Sequence, residues 1–504
     1  MNSSKHQILN KSEDTVELPQ GWIWTTIGEI GIIQSGGTPS TRNKEFWGGE
    51  IAWITPADLS GYNDKFISRG KRNITQVGLD YSSAKLLPAG SICFSSRAPI
   101  GYTVITKNEL ATNQGFKNLI PTKSLNSEYV YYYFKTLKSK AEKVASGTTF
   151  LELSASKFSQ LPFPLPPLKE QARIVSKIET IFTELDQSEK GLRKAKQQLE
   201  LYRQVILKKS VTNSDVKESK LGDYISKIGI NIKPDKKSKY NFISLSSINP
   251  NSLKLHQIYE YNNFSSSGIR FSKGDILYSR MRPNLNKVYK AEFEGVCSGE
   301  FFVLKCSDSL NTDFLKYLLH SDDFVEYATN KAKGDRPRLS YDDFSLYKTS
   351  LIPISEQEKI VQDIDSKFSL IDNLESTINK SIQVIELTRN SILKQAFEGR
   401  LVLQDPTYEP ASRLLKQIKI EKEKYLTKQV EFKKNRPKKI IKMRKSLSIE
   451  EVLKSSDKPI LAKIVWQESK HNEDIVEFYA QLKELGEKVV ETRKGLNSLL
   501  SLKK

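Results

Sequence analysis

The sequence predicts an α+β protein: two repeated α+β modules joined by two long antiparallel coiled-coil helices, plus a small helical C-terminal extension. Three observations predict it. Slid along itself by 186 positions, the chain lays residues 165–211 on residues 351–397 without a gap, and 18 of the 47 aligned pairs are identical. Among them are Glu170/Glu356, Gln171/Gln357, Phe182/Phe368, Asp186/Asp372, Arg203/Arg389 and Lys208/Lys394. Such self-similarity is a statement about architecture. Both copies carry an apolar stripe at a 3.5-residue period, the seam of a helix that wraps on another helix. The stretches before each copy are short β-type runs broken by Gly, Pro and Ser, with one helical interval.

The elements follow in order. Residues 1–17 form a polar lead-in. Residues 18–168 form the first module, with strands at Glu50–Thr55, Ser91–Ser95, Tyr102–Thr106 and Lys117–Ile120, and a helix over Tyr129–Ala145 capped by Asn126. Its aromatic run Tyr129–Phe134 is read as packing on the sheet, and Trp47 and Trp53 as core. The first long helix occupies 169–212, just after Pro167, with its seam at Ile174, Ile178, Ile181, Leu185, Ser188, Leu192, Ala195, Leu199, Tyr202 and Ile206. Residues 213–354 repeat the first programme with more divergence: Gly90–Ser95 parallels Gly274–Ser279, and Asn311 caps a helix as Asn126 does.

The second long helix, 355–402, places Ile360, Ile364, Lys367, Ile371, Leu374, Ile378, Ser381, Ile385, Thr388 and Ile392 on its seam. At 1.5 Å per residue the helices form a rod of roughly 60 Å. Gly191 in the middle of the first and Lys367 on the seam of the second are expected to soften it. A charged helical and basic linker spans 403–445, ending in Lys433–Lys445 with eight basic residues in thirteen. Residues 446–504 read as a small helical unit, with helices at Ile449–Lys454 and Glu473–Glu491.

A chain of 504 residues exceeds what one core supports, so several folded units are expected. Lys and Arg outnumber Asp and Glu by 79 to 59, a net charge of +20, which points to a phosphate-rich partner and to nucleic acid before membrane. The three cysteines, Cys93, Cys297 and Cys306, are odd in number and far apart, as in a reducing compartment. With neither a long apolar span nor a secretory signal, the expected location is the cytoplasm. Catalytic constellations are absent. There is no phosphate-binding GxxxxGK[ST] loop, no dinucleotide fingerprint and no CxxC pair. The four histidines are scattered, which leaves no expected metal site, and no Asn/Asp-Pro-Pro-aromatic tetrapeptide of the amino-methyltransferase type occurs. Scattered carboxylates leave a nuclease open as one alternative, and a stand-alone two-headed DNA-binding regulator as another.

Two α+β modules, each followed by a long helix opening LPPLKEQARIV (165–175) or LIPISEQEKIV (351–361), closely resemble the specificity subunit of a Type I restriction–modification system. The stretches at 36–59 (GGTPSTRNKEFWGGEIAWITPADL), 391–402 (SILKQAFEGRLV) and 405–419 (DPTYEPASRLLKQIK) share the likeness. The resemblance covers residues 18 to about 430 and makes the modules target recognition domains. It implies a non-catalytic reader of a bipartite site in double-stranded DNA. Its implied partners are two methyltransferase (M) subunits, which use S-adenosylmethionine to methylate adenine, and motor–nuclease (R) subunits, which use ATP and Mg²⁺. This chain itself is then expected to bind no cofactor.

Connectivity makes the long helices antiparallel, because the first leaves one module for the other and the second must run back to pack on it. Two heads on one face of a duplex read half-sites about one helical turn, ~34 Å, or a multiple apart. Helix length then sets the spacer. Heptads added or deleted between Gln187 and Gln198 are expected to change its length, and variants that keep the parental spacer would refute the ruler. Base edges are read by Arg, Asn, Gln, Ser or Thr on loops, with Lys and Arg on phosphates. In the first head the candidates are Thr38, Ser40, Thr41, Arg42 and Lys44, then Ser96 and Arg97, then Thr112, Asn113 and Gln114. In the second they are Ser279, Arg280, Arg282 and Asn284, then Ser298 and Glu300, then Arg336 and Arg338. The bland reading of each is a solvated loop or a turn-stabilising side chain.

Overall fold

The computed structural model describes residues 17–147, 151–211, 218–234, 240–435, 447–456, 458–469, 475–494 and 497–503. The lead-in up to residue 16 and most of the basic run expected at 433–445 lie outside them. The chain divides into two compact units, 1–414 and 415–504.

The rod dominates the first unit. Its helices, Leu168–Val211 and Ile354–Phe397, are 44 residues each. They run antiparallel: Asp186 meets Arg389, Lys196 meets Asn379, and Arg203 meets Asp372. One position per heptad carries the seam. On the second helix Ile364, Ile371, Ile378, Ile385 and Ile392 are all buried. On the first, Ile174, Ile178 and Ile206 are buried and Ile181, Leu185, Leu192 and Leu199 half-buried. The alternate positions depart from the expected seam. Leu374 is 44% exposed and Tyr202 52%, Ser188 is exposed, and Ile360 is only half-buried. A two-helix rod has a single contact face, so the second residue of each heptad sits at its edge. Lys367 lies outside the seam and pairs with Asp363 at 2.6 Å, while Gly191 leaves both the helix and its neighbours undisturbed.

The repeated polar residues of the rod now have reasons. Arg203 reaches Asp372 and Glu375 across the rod, and Arg389 reaches Asp186 and Glu189. Each guanidinium also lies over a ring, Phe368 at 5.0 Å and Phe182 at 5.2 Å. These rings meet Tyr317 and Tyr132 of the heads edge-on. The same residues serve on both sides of an internal twofold, as in an isologous interface. Gln171 and Gln357, both fully buried, accept the backbone N–H of Asn126 (3.0 Å) and Asn311 (2.8 Å). Those two asparagines cap the helices Ser127–Lys135 and Thr312–His320. A buried donor without a partner is costly, so the Gln of each KEQ/SEQ motif locks a head to its rod helix.

The first head has a five-stranded sheet ordered Gly31–Ser35, Phe116–Pro121, Ile92–Ser95, Thr103–Thr106, Phe66–Ile67. Beside it lies a four-stranded sheet ordered Arg72–Ile74, Trp47–Ile54, Leu110–Thr112, Leu86–Leu87. The second head repeats the first sheet as Ile225–Ile228, Phe301–Cys306, Ile276–Ser279, Val288–Lys290. Its other sheet runs Asn231–Ile232, Gly268–Phe271, Gly295–Ser298, Asn241–Ile243, Tyr259–Glu260. Tyr129–Phe134 are all buried, with Phe134 edge-on to Phe94 at 5.9 Å, so the aromatic run does pack on the sheet. Cys93 and Cys297 are buried within strands, where loss of water pushes the Cys297 thiol up to about 12. The core of the second head takes in Ile206 and Leu207 from one rod helix and Val361 and Ile364 from the other. On the first head, Phe397 meets Tyr129 and Tyr133 edge-on. The chain returns to this head, where Ala411 N donates to Gly21 O at 2.9 Å. Gly399 makes that turn with φ +70, and a Cβ there would lie 2.2 Å from Pro19.

The second unit corrects the expected helical extension. Helices Ile449–Lys454, Ala462–Glu468 and Ile475–Glu484 pack with a three-stranded sheet ordered Ile460–Leu461, Asn497–Leu502, Val489–Lys494. Its core gathers Ile449, Val452, Leu453, Val465, Phe478 and Leu500. The helix expected over 473–491 stops at Glu484 because Gly486 turns to φ +49, and the β-branched Val489-Val490 that follow enter a strand.

Candidate nucleic-acid interface

The two heads share one backbone crossing, where some of the loop candidates of each head meet: Ser96 and Arg97 in the first, Arg280, Glu300 and Arg338 in the second. In the first, Ser96 N donates to Gly115 O (2.7 Å) and Leu153 N to Ser96 O (2.9 Å). Ser146 and Glu152 exchange both backbone bonds. In the second, Arg280 N donates to Glu300 O (2.9 Å) and Leu339 N to Arg280 O (2.9 Å), while Lys333 and Arg338 exchange theirs. Strand register agrees, with Phe116 opposite Ser95 and Phe301 opposite Ser279. Ser96, Gly115 and Glu152 thus correspond to Arg280, Glu300 and Arg338.

Side chains at the crossing differ. Arg97 pairs with Glu152 at 3.0 Å in the first head. Beneath them Lys117 is buried, 3.3 Å from Ser96 Oγ and 3.8 Å from Glu152, and burial and the neighbouring Arg97 lower its pKa. In the second head Arg338 grips Glu300 through Nε and Nη2 at 2.7–3.0 Å, a fork geometry that holds the Glu300 carboxyl below its usual range. Phe302 takes the place of Lys117, under Arg280 at 5.5 Å. Glu152 and Lys117 were missed from sequence, since a lone Glu before a helix and a Lys within a strand carry no signal until the sheet brings them together.

Three expected surface residues are interior. Ser96 and Thr112 are fully buried, Ser96 donating to Gly115 O and Thr112 accepting from Asn118 Nδ2. Ser279 is 3% exposed and donates to Met281 O. They end strands or turn the chain, so their hydroxyls satisfy buried backbone and amide groups. Asn113, half-buried, accepts from Gly115 N as a turn former. Ser40, Thr41, Arg42, Lys44 and Gln114 are exposed on the first head, and the Thr38 hydroxyl donates to Gln114. Arg282, Asn284 and Arg336 are exposed on the second, and Ser298 is half-buried. Arg282 adopts φ +51 with its N–H on Pro337 O at 2.7 Å, so tertiary contacts hold that loop in a conformation side chains seldom take. Of the two tryptophans read as core, Trp53 is buried and Trp47 half-buried.

Among the described residues no helix is long and apolar enough to cross a membrane. A family model, the Type I restriction modification DNA specificity domain, matches residues 19–197. The Type I restriction enzyme MjaIX specificity subunit of Methanocaldococcus jannaschii is 45% identical over 168 residues, which are 33% of this chain and 39% of that one. The EcoKI specificity subunit of Escherichia coli K12 is 23% identical over 460 residues, 81% of this chain and 96% of its own. A solved chain, described under complex assembly and conformational transition of the type I R-M system, aligns with a TM-score of 0.61 at 19% identity. It covers 77% of this chain and 100% of that one, a likeness of fold. With the duplicated rod and heads, these matches agree on a Type I restriction modification DNA specificity domain over residues 19–197, and the most similar of these relatives is matched over 39% of its own length.

Proposed function

We propose that the chain is a non-catalytic, sequence-specific reader of double-stranded DNA that recognises a bipartite target, one half-site per head. It directs adenine methylation or restriction by partner subunits. The observation that carries this is the shared backbone crossing on two heads of one rod, furnished with different side chains. Identical frames with different charged and polar groups are what two different half-sites require. Exposed Arg42, Lys44, Arg97, Arg282 and Arg336, with half-buried Arg338, supply base-edge and phosphate contacts, and the net charge of +20 supplies non-specific affinity. The unbroken antiparallel register of the rod supports its role as spacer.

The partners in this reading are two methyltransferase subunits carrying S-adenosylmethionine and motor–nuclease subunits carrying ATP and Mg²⁺, all in the cytoplasm. The test is to purify the chain alone and with its methyltransferase subunit, then map methylated adenines. Assembly, with methylation at one bipartite motif only in the mixture, is the expected result. DNA cleavage by the chain alone with Mg²⁺ would replace this reading with a nuclease, and binding without any assembly with a stand-alone regulator.

A further inference from the structure

The first head holds one more cation in a setting unlike the others. Arg72 lies on the strand Arg72–Ile74, opposite Trp53 of the neighbouring strand. Its guanidinium carbon sits 3.6 Å from the centroid of the Trp47 ring. Trp47 in turn rests edge-on against buried Trp53, at 5.1 Å and 83°. Both indole N–H groups donate to the opening loop, Trp53 to Gly37 O at 3.0 Å and Trp47 to Ser40 O at 3.1 Å. Gly37 N donates to Thr112 O at 2.8 Å, which ties that loop to the one bearing Gln114. The two rings therefore form a pedestal that fixes Arg72 beside both candidate loops. Arg72 is exposed, and among the described residues no carboxylate lies within ion-pair range of it.

A phosphate contact needs only a positive charge on a flexible stem. A guanidinium stacked on an indole has given up that freedom, and its N–H edge stays open to solvent in one plane. A fixed planar fork is what bidentate recognition of guanine O6 and N7 requires. The second head differs at this register. There Asn241–Ile243 pairs with Tyr259–Glu260 and with Gly295–Ser298, as Trp47–Ile54 pairs with Arg72–Ile74 and Leu110–Thr112. Phe242 stands at the position of Trp53, and Tyr259 at that of Arg72. The Tyr259 hydroxyl donates to Gln257 at 2.9 Å, and its ring lies edge-on to Phe264. A phenol committed within the protein replaces the free fork.

We infer that Arg72 is a specificity-determining residue of the first head that reads a guanine edge in the major groove. The inference rests on the DNA-reading function proposed above. The test is selection of bound duplexes from a randomised library by the full chain as wild type, R72A and R72K, at two salt concentrations. The wild type should enrich a bipartite motif. In R72A one G·C position of one half-site should relax by about tenfold or more, and R72K should not restore it. The other half-site should stay unchanged in both, which also shows that the variants fold. A wild type that enriches no motif would overturn the DNA-reading role and this residue's part in it. An enriched motif that survives unaltered in both variants overturns the Arg72 assignment alone. So does an unaltered motif with uniformly weaker binding and a shallower salt slope, the mark of a phosphate contact.

Discussion

The two heads place opposite charges on the same backbone. Where Glu152 stands in the first, Arg338 stands in the second, and each makes an ion pair with a residue from the neighbouring loop, Arg97 or Glu300. Under the crossing the first head buries an ammonium, Lys117, and the second an aromatic ring, Phe302. The backbone hydrogen bonds at the crossing have the same partners and nearly the same lengths in both. Main-chain bonding thus fixes where the side chain at the crossing stands, and the residue type decides its charge and shape. The inversion also means that mutations at equivalent positions should act on different half-sites.

The rod is what the two heads hold in common, and cutting into it should cost most. Ile378→Ala deletes a buried seam residue and is expected to lower stability by ~2–5 kcal/mol, whereas the internal equivalent Leu192→Ala, already half-buried, should lower it less. Urea midpoints of the full chain would check both; equal costs would mean that the seam is symmetric after all. Acid should separate the heads. His320 ends the second head's first helix, and burial, with Arg203 and Lys316 nearby, holds its pKa down to about 4. The first head has exposed Lys135 at the equivalent position. A depressed folded value means that the second head keeps its full stability above the unfolded value of ~6.5 and loses it as pH falls from there, levelling near 4. The loss is on the order of 3 kcal/mol, and His320→Leu should flatten it. Amide exchange in each head across this range reads the difference; an equal loss in both heads would refute it.

At the crossing itself, Arg97→Ala and Arg338→Ala should each cost ~1–3 kcal/mol of discrimination, in different half-sites. Motif selection with each variant is the measurement, and relaxation of the same half-site by both would break the comparison. The smallest change expected is Gly191→Ala. Nothing lies within 4 Å of the added methyl, so helix propensity alone should stabilise the rod by ~1 kcal/mol with both half-sites intact, as a thermal melt would show.

Much of this was legible before folding because it repeats. The helices were expected at 169–212 and 355–402 and run Leu168–Val211 and Ile354–Phe397; Asn126 and Asn311 cap as their sequences suggest. A heptad gives the period of contact and not its width, so Leu374 and Tyr202 fall outside the seam. Loop candidates fared unevenly for a related reason. Ser96, Thr112 and Ser279 have side chains that suit DNA and suit a buried turn equally well. Only the sheet determines which use they serve. In the last 59 residues the helical period continues past Gly486, whereas the chain turns there with φ +49 and goes on as a strand.

By itself the sequence determined the duplication, the antiparallel rod and the placement of an α+β module before each helix. Those follow from local periodicity and from the order of the chain, which no later packing alters. The tertiary structure alone decided that Glu152 faces Arg97, that Arg338 faces Glu300, and that Arg72 lies on Trp47. These partners are 55, 38 and 25 residues apart in sequence, and nothing local pairs them; the strand register does.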